Sequence, residues 1–143
     1  MEARQHDVPS SIGLLILRLG IGGYMMTHGW GKLQMLLNGQ SDSFGDPIGI
    51  GAGTSLILAT GAEFFCSLLV VIGLGTRFAA APVVFTMLVA MFIVHRNDPW
   101  TMGPGPSKEP AMLFLIPFLA LIFTGAGRYS IDALIKRRRG RSR

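Results

Sequence analysis

The chain has 143 residues, of which 50% are apolar, only 15% are charged and 19 are glycine, and its mean hydropathy is +0.47. A soluble domain carries about 25% charged residues, so a soluble globular domain is excluded, as are disorder, collagen and coiled coil. The length allows one domain, and apolar runs of about 18 or more residues with few charges read as bilayer spans.

The net charge is +5, but seven of the thirteen basic residues lie between Arg128 and Arg143. The positive charge is mostly a tail. A basic run behind a membrane helix is a topology signal and a contact for anionic headgroups, and no nucleic-acid partner is expected. Cys66 is the only cysteine and lies in an apolar run. An internal disulfide, a CxxC redox pair and a cysteine-rich metal site are thereby excluded, which leaves a small packed residue.

Near the amino terminus Glu2 and Asp7 stand beside Arg4, and Arg18 interrupts the apolar stretch that follows. A cleavable signal peptide is not expected. The first span is predicted over about residues 11–36, capped by Ser10 or Ser11 and ending in the amphipathic segment Thr27 to Lys32, where Trp30 suits the interface. Gly20, Gly22 and Gly23 are expected to permit close helix contact. The linker LNGQSDSFGDPIGIGAG holds no Lys or Arg, which is a translocated-loop composition.

The second span, about residues 54–74, has Glu63 as its single ionisable residue and closes on a tight Gly-Leu-Gly turn. The third, about 78–94, is expected to hold Pro82 in its first turn, where a missing N–H costs little, and ends at His95 and Arg96. A Pro- and Gly-rich loop follows. The fourth span, about 110–126, holds Pro117 in its interior, which predicts a kink. The fold class is therefore all-α, a four-helix transmembrane bundle over residues 1–135, with a basic tail at 136–143 expected to be disordered or to lie on headgroups. One face collects Arg4, Arg77, Arg128 and the tail. The positive-inside rule places both termini in the cytoplasm of a multi-pass inner-membrane protein, and the lipid-facing apolar faces would also accommodate a homo-oligomer.

Arg18 and Glu63 lie inside apolar runs, where an ionisable group costs about 2.5 to 3.5 kcal/mol on insertion scales. Each needs a partner or water. On the first helix Arg18, Gly22, Met25, Gly29 and Lys32 recur at spacings of four, three, four and three, one stripe expected to face the bundle. Side chains lean toward the start of their own helix, so Glu63 is expected to meet His28 or Lys32, and Arg18 to reach headgroups or Asp132. At about 1.5 Å per residue, His28 and His95 reach similar depths, about 25 Å from the first boundary.

His28, Lys32, Glu63, His95 and Arg96 thus form one polar constellation. His and Lys can hydrogen-bond carbonyl oxygens while a buried Glu exchanges protons, which is the chemistry of a quinone-headgroup or proton-transfer site. His28 and His95 as axial ligands of a b-type haem are a second reading, and a structural polar network that sets helix register is a third. No phosphate loop, nucleophile triad or zinc pattern accompanies them, so no metal ligands are assigned. The methionines are spread over several helices and are expected to fill core gaps.

Four stretches carry a family resemblance: LRLGIGGYMMTHGWGKL from Leu17, GAEFFCSLLVVIGLGTRFAA from Gly61, MLVAMFIVH from Met87 and GAGRYSIDALI from Gly125. In this order they resemble the DoxX/DoxD-like family of small bacterial membrane proteins, with Ala126 where the family often has proline. The resemblance implies a four-helix inner-membrane protein, a subunit of or accessory to quinone-linked oxidoreductases of the thiosulfate:quinone or quinol oxidase type, or of oxidative-stress systems. Electrons would then come from a partner oxidoreductase subunit. By position, Arg18, His28, Lys32, Glu63, Arg77, His95 and Asp132 are its motif residues, with Glu63 and His28 as catalytic candidates and His28, Lys32, Glu63, His95 and Arg18 as quinone-binding ones. A small proton-coupled transporter, or a scaffold docking a soluble partner through Lys136 to Arg143, are the alternatives.

Overall fold

A computed structural model describes residues 7–141. Among these residues are five long helices, α1 Val8–Leu37, α2 Ala52–Ile72, α3 Thr76–Val94, α4 Glu109–Thr124 and α5 Ile131–Arg141, and a single 3-10 turn at Ser41–Ser43. Among the described residues there is no strand. The first three are long and apolar enough to cross a membrane. The fourth, with 16 residues, is about 24 Å long, somewhat short of a hydrocarbon core of about 30 Å.

The expected boundaries hold to within about three residues, and the departures have local causes. Helix α1 begins at Val8 because Asp7 accepts the Ser10 amide at 3.2 Å and Pro9 occupies the first turn, so Asp7 replaces the expected serine caps. Helix α3 begins at Thr76, which puts Pro82 in the helix interior and corrects its expected first-turn place. The Thr86 hydroxyl donates to the Pro82 carbonyl at 2.9 Å. Pro117 lies inside α4. The basic segment continues helix α5 through Arg141 instead of leaving the helix at Ile135.

Each of the three long helices contains one π turn: Arg18–Gly22 in α1, Gly61–Cys66 in α2 and Ala90–Val94 in α3. A π turn widens the coil by one residue and is frequent at functional sites. The buried stripe of α1 is nevertheless the expected one: Arg18, Gly22, Met25 and Gly29 are buried and Lys32 is partly so.

Helix α1 packs on α2 in the most extensive pair, α3 on α4 in the next, and α2 on α3. Met25, Val70, Ala80, Val83, Met87, Phe118 and Leu121 fill the interior. The outside is more apolar than a water-facing surface would be: Phe78 is 87% and Phe123 74% exposed, with Ile16, Phe65, Phe85 and Ile116 also exposed. Exposed apolar area on this scale needs lipid or a partner to cover it. The bundle is that of a multi-pass membrane protein. Its first end carries the start of α1, the Gly73–Gly75 turn and the segment 125–130 before α5; its second end carries the loops 38–51 and 95–108.

Candidate functional site

Glycine lets α1 approach α2 at the level of the second π turn. A Cβ on Gly29 would lie 2.5 Å from the Phe64 nitrogen and 2.6 Å from the Glu63 carbonyl carbon, and one on Gly22 would lie 2.7 Å from the Val71 side chain. Gly20 and Gly23, expected to serve the same contact, have nothing within 4 Å. One turn beyond Gly29, the Lys32 ammonium donates to Glu63 Oε2 in a direct ion pair. Lys32 is therefore the partner of Glu63, of the two that leaning alone left open. The Glu63 side chain is 5% exposed and that of Lys32 23%, so the pair is closed on the carboxylate side and reachable from the ammonium side. Together the two groups carry no net charge, which limits the desolvation that either would suffer alone.

The pair forms one wall of a cavity of about 460 Å³ between α2 and α3. This volume is in the range of small-molecule sites, about 300 to 1,000 Å³. Leu58, Ala62, Pro82, Phe85 and Val89 make most of the remaining wall. Leu58 and Phe85 are themselves more than half exposed on the apolar outer surface, so the cavity opens sideways, toward where lipid would lie. His95 lines the second-end side. Its Nδ1 is held at 2.7 Å by Asp98, which leaves Nε2 as the nitrogen free for a ligand.

The loop 38–51, expected as a plain linker, folds over the second end of this cavity with Phe44, Pro47 and Ile48. Asp46 pins it by accepting from the Gly51 and Ile50 amides at 2.8 and 3.0 Å and from the Ser55 hydroxyl at 2.9 Å. The Gly51 amide above all, with the Ser55 hydroxyl and the Ile50 amide, holds the Asp46 carboxyl below the usual carboxylate range against a smaller opposing effect of burial. The sequence assigned Asp46 no anchoring role; an acid a few residues before a Gly-rich helix start is the signal that was present.

His28 and Arg18 stand elsewhere. With Gly29 and Lys32 facing α2, His28 is turned about 100° away by the helix geometry, and its exposed ring meets Phe114 of α4 edge-on at 5.3 Å. It does not line the cavity, so His28 and His95 do not share that space. Arg96 is engaged through its carbonyl, which accepts from the Lys108 ammonium at 2.9 Å.

Arg18 is 1% exposed at the first end. Its guanidinium donates to the Ala126 carbonyl and, at 2.8 Å, to the Tyr129 carbonyl. This corrects the expectation that it snorkels to headgroups. The groove for it exists because Gly73 has no side chain: a Cβ there would lie 2.5 Å from Arg18 Nη1. Asp132 spends its carboxylate on the Gly75 and Thr76 amides at 2.8 and 3.2 Å, capping α3 from the start of α5. Arg18 is thus not brought to the cavity. Among the described residues no three His, Cys, Asp or Glu side chains are gathered as a metal site.

The DoxX family matches residues 13–96, more than half of the chain. That stretch holds Arg18, Lys32, Glu63 and His95 and stops before the segment 125–135. Two proteins of Haemophilus influenzae, each described as an uncharacterized protein, are similar to it: one 29% identical over 95% of this chain and 91% of its own length, the other 29% identical over 83% and 87%. No solved structure matches. The matched stretch spans the three long helices and every residue of the ion pair and its cavity wall, and the chain belongs to the DoxX family.

Proposed function

We propose that the cavity receives the head group of a membrane quinone and that the protein serves quinone-linked electron transfer beside a partner oxidoreductase. The observation that carries this reading is the buried Lys32–Glu63 pair set into the wall of an otherwise apolar cavity that opens on the lipid-facing surface. A ligand that arrives through lipid needs such an opening, and one that carries carbonyl oxygens needs fixed donors at its end.

The donor set fits. An ammonium has three hydrogens, so Lys32 can hold Glu63 and still donate to a carbonyl oxygen, and His95 offers Nε2 at the other side of the space. A bound quinone would supply two-electron, two-proton chemistry. Glu63 would then hold or release a proton at its Oε2, passing it through the Lys32 ammonium, while the apolar wall keeps bulk water from the carbonyl. The excess of basic residues at the first end supports an inner-membrane orientation with both termini in the cytoplasm.

The test is extraction of the protein in mild detergent, with mass spectrometry of co-purifying lipids and a visible spectrum of the same sample. Quinone is expected with wild type and with His28→Ala, and lost in folded Glu63→Gln and Lys32→Met. Equal quinone in all four variants, or none in wild type, overturns the reading. A Soret band in wild type that is lost in His95→Ala replaces it by haem, and a quinone-free protein leaves the small transporter or scaffold.

A further inference from the structure

A second concavity lies at the first end, far along the bundle from the Lys32–Glu63 pair. It measures about 360 Å³ and is formed by the end of α2 and the start of α5. Two chemistries meet in it. Arg128 and Arg137 supply two guanidinium groups, and Ile72, Ile131 and Leu134 supply an apolar floor. Ile72 is 38% and Leu134 57% exposed, at the level where α2 ends and the chain leaves the apolar belt. Among the described residues neither arginine side chain has an ion pair.

The neighbouring charges are already committed. Asp132 accepts from the amides of Gly75 and Thr76 and forms no ion pair with either arginine. The Ser130 hydroxyl donates to the Gly127 carbonyl at 2.7 Å and accepts the Ala133 amide at 3.2 Å, which fixes the turn from which Arg128 projects. Two unpaired guanidiniums over an apolar floor at the edge of a membrane bundle have one complementary ligand type: a phosphodiester on an acyl-bearing glycerol. Guanidinium pairs with phosphate oxygens in a two-pronged geometry that an ammonium cannot reproduce.

We infer that this concavity is a binding site for one anionic phospholipid, its phosphate held by Arg128 and Arg137 and its glycerol and first acyl carbons lying on Ile72, Ile131 and Leu134. The site differs from a general attraction of the basic tail to the membrane surface, because Arg138, one residue on and equally exposed, does not line it. It is also independent of the quinone reading, since no residue is shared between the two cavities.

Native mass spectrometry of the protein released from nanodiscs of phosphatidylcholine with a minor fraction of phosphatidylglycerol tests it. Wild type and Arg138→Ala are expected to retain one phosphatidylglycerol. Arg137→Ala, at an exposed position, should lower retention, and the Arg128→Ala/Arg137→Ala pair should lower it by about tenfold or more, as expected for two arginines near an anionic surface. Thermal unfolding checks that each variant is folded. Equal retention in the double variant and wild type overturns the site. So does an equal loss in Arg138→Ala, which would mean diffuse tail charge, and so does displacement of the lipid by inorganic phosphate at matched concentration, which would mean a phosphate ion without its lipid.

Discussion

The two ends of the bundle bury cations in different ways. At the first end the Arg18 guanidinium donates through its two terminal nitrogens to two backbone carbonyls, its buried Nε making no hydrogen bond, and Asp132 accepts from two backbone amides. These two side chains serve the chain's own turns. Toward the second end Lys32 and Glu63 are consumed by each other, with the ammonium still reachable from an apolar cavity. Charge directed at backbone locks a fold, because the backbone cannot titrate or leave. Charge directed at charge beside open space can be rearranged by a ligand or a proton. On this contrast Arg18 is expected to act on stability and, under the proposed function, Lys32 and Glu63 on the ligand, although Arg18 and Glu63 alike interrupt apolar runs in the sequence.

The largest effect is expected at the lock. Arg18→Met leaves the buried Ala126 carbonyl and the part-buried Tyr129 carbonyl without their donor, at about 1 to 3 kcal/mol for a fully buried group, so thermal unfolding followed by helical circular dichroism should show a loss of about 3 kcal/mol. Arg18→Lys should recover only part of this, since an ammonium presents no planar fork. Unchanged melting in both variants would erase the distinction between the two ends.

Next is the contact that brings α1 to the π turn of α2. Gly29→Val would drive side-chain atoms into the Glu63 and Phe64 backbone and should cost about 1 to 3 kcal/mol by overpacking, with loss of ligand retention as the Lys32–Glu63 contact opens. Gly23→Ala has free space and should be neutral or stabilise by about 0.5 kcal/mol through helix propensity. Melting of the two proteins side by side separates close approach from glycine content.

A change no larger than that of Gly29→Val is expected from the cavity pair. Glu63→Gln strands the Lys32 ammonium and should destabilise by about 1 to 3 kcal/mol, while Glu63→Gln combined with Lys32→Met should recover most of it, because removing both partners of a buried pair is often neutral. Quinone retention should stay lost in the double variant. Recovery of stability without recovery of the ligand is what sets chemistry apart from structure here.

The smallest effect concerns the loop over the cavity. The Asp46 carboxyl is held below its ordinary value in the folded chain, so its contribution is complete above the ordinary carboxylate range and is lost as the pH falls below that range. Hydrogen exchange of residues 44–51 should therefore rise in acid, and Asp46→Asn should show the faster exchange at neutral pH with little change in melting. A loop equally protected in both proteins would place its anchor elsewhere.

Much of this was legible in the residues. Apolar run lengths located the three helices long enough to cross a membrane and the shorter α4, and the stripe of Arg18, Gly22, Met25, Gly29 and Lys32 identified the face that α1 buries. Depth arithmetic brought His28 and His95 to one level, in a constellation with Lys32, Glu63 and Arg96. His28 went astray because depth says nothing about azimuth: one residue from Gly29 it belongs to a different face and meets Phe114. Arg18 went astray because its acceptors are the carbonyls of Ala126 and Tyr129, and a carbonyl is present at every residue and marks none. The π turns were hidden for a related reason, since Gly61 to Cys66 reads as ordinary helix.

Composition and apolar run length by themselves determined that the chain is a helical membrane protein, and that Arg18 and Glu63 needed partners; its motif stretches carried the resemblance to the DoxX family. Run length and motif are local and additive along the chain. Only the tertiary structure decided that Glu63 pairs with Lys32, that Arg18 and Asp132 close the first end, and that loop 38–51 covers a cavity. Those outcomes depend on the angle and distance between helices, set by contacts such as Gly29 on Phe64, and interhelical geometry is a property of pairs of elements that no single stretch of sequence contains.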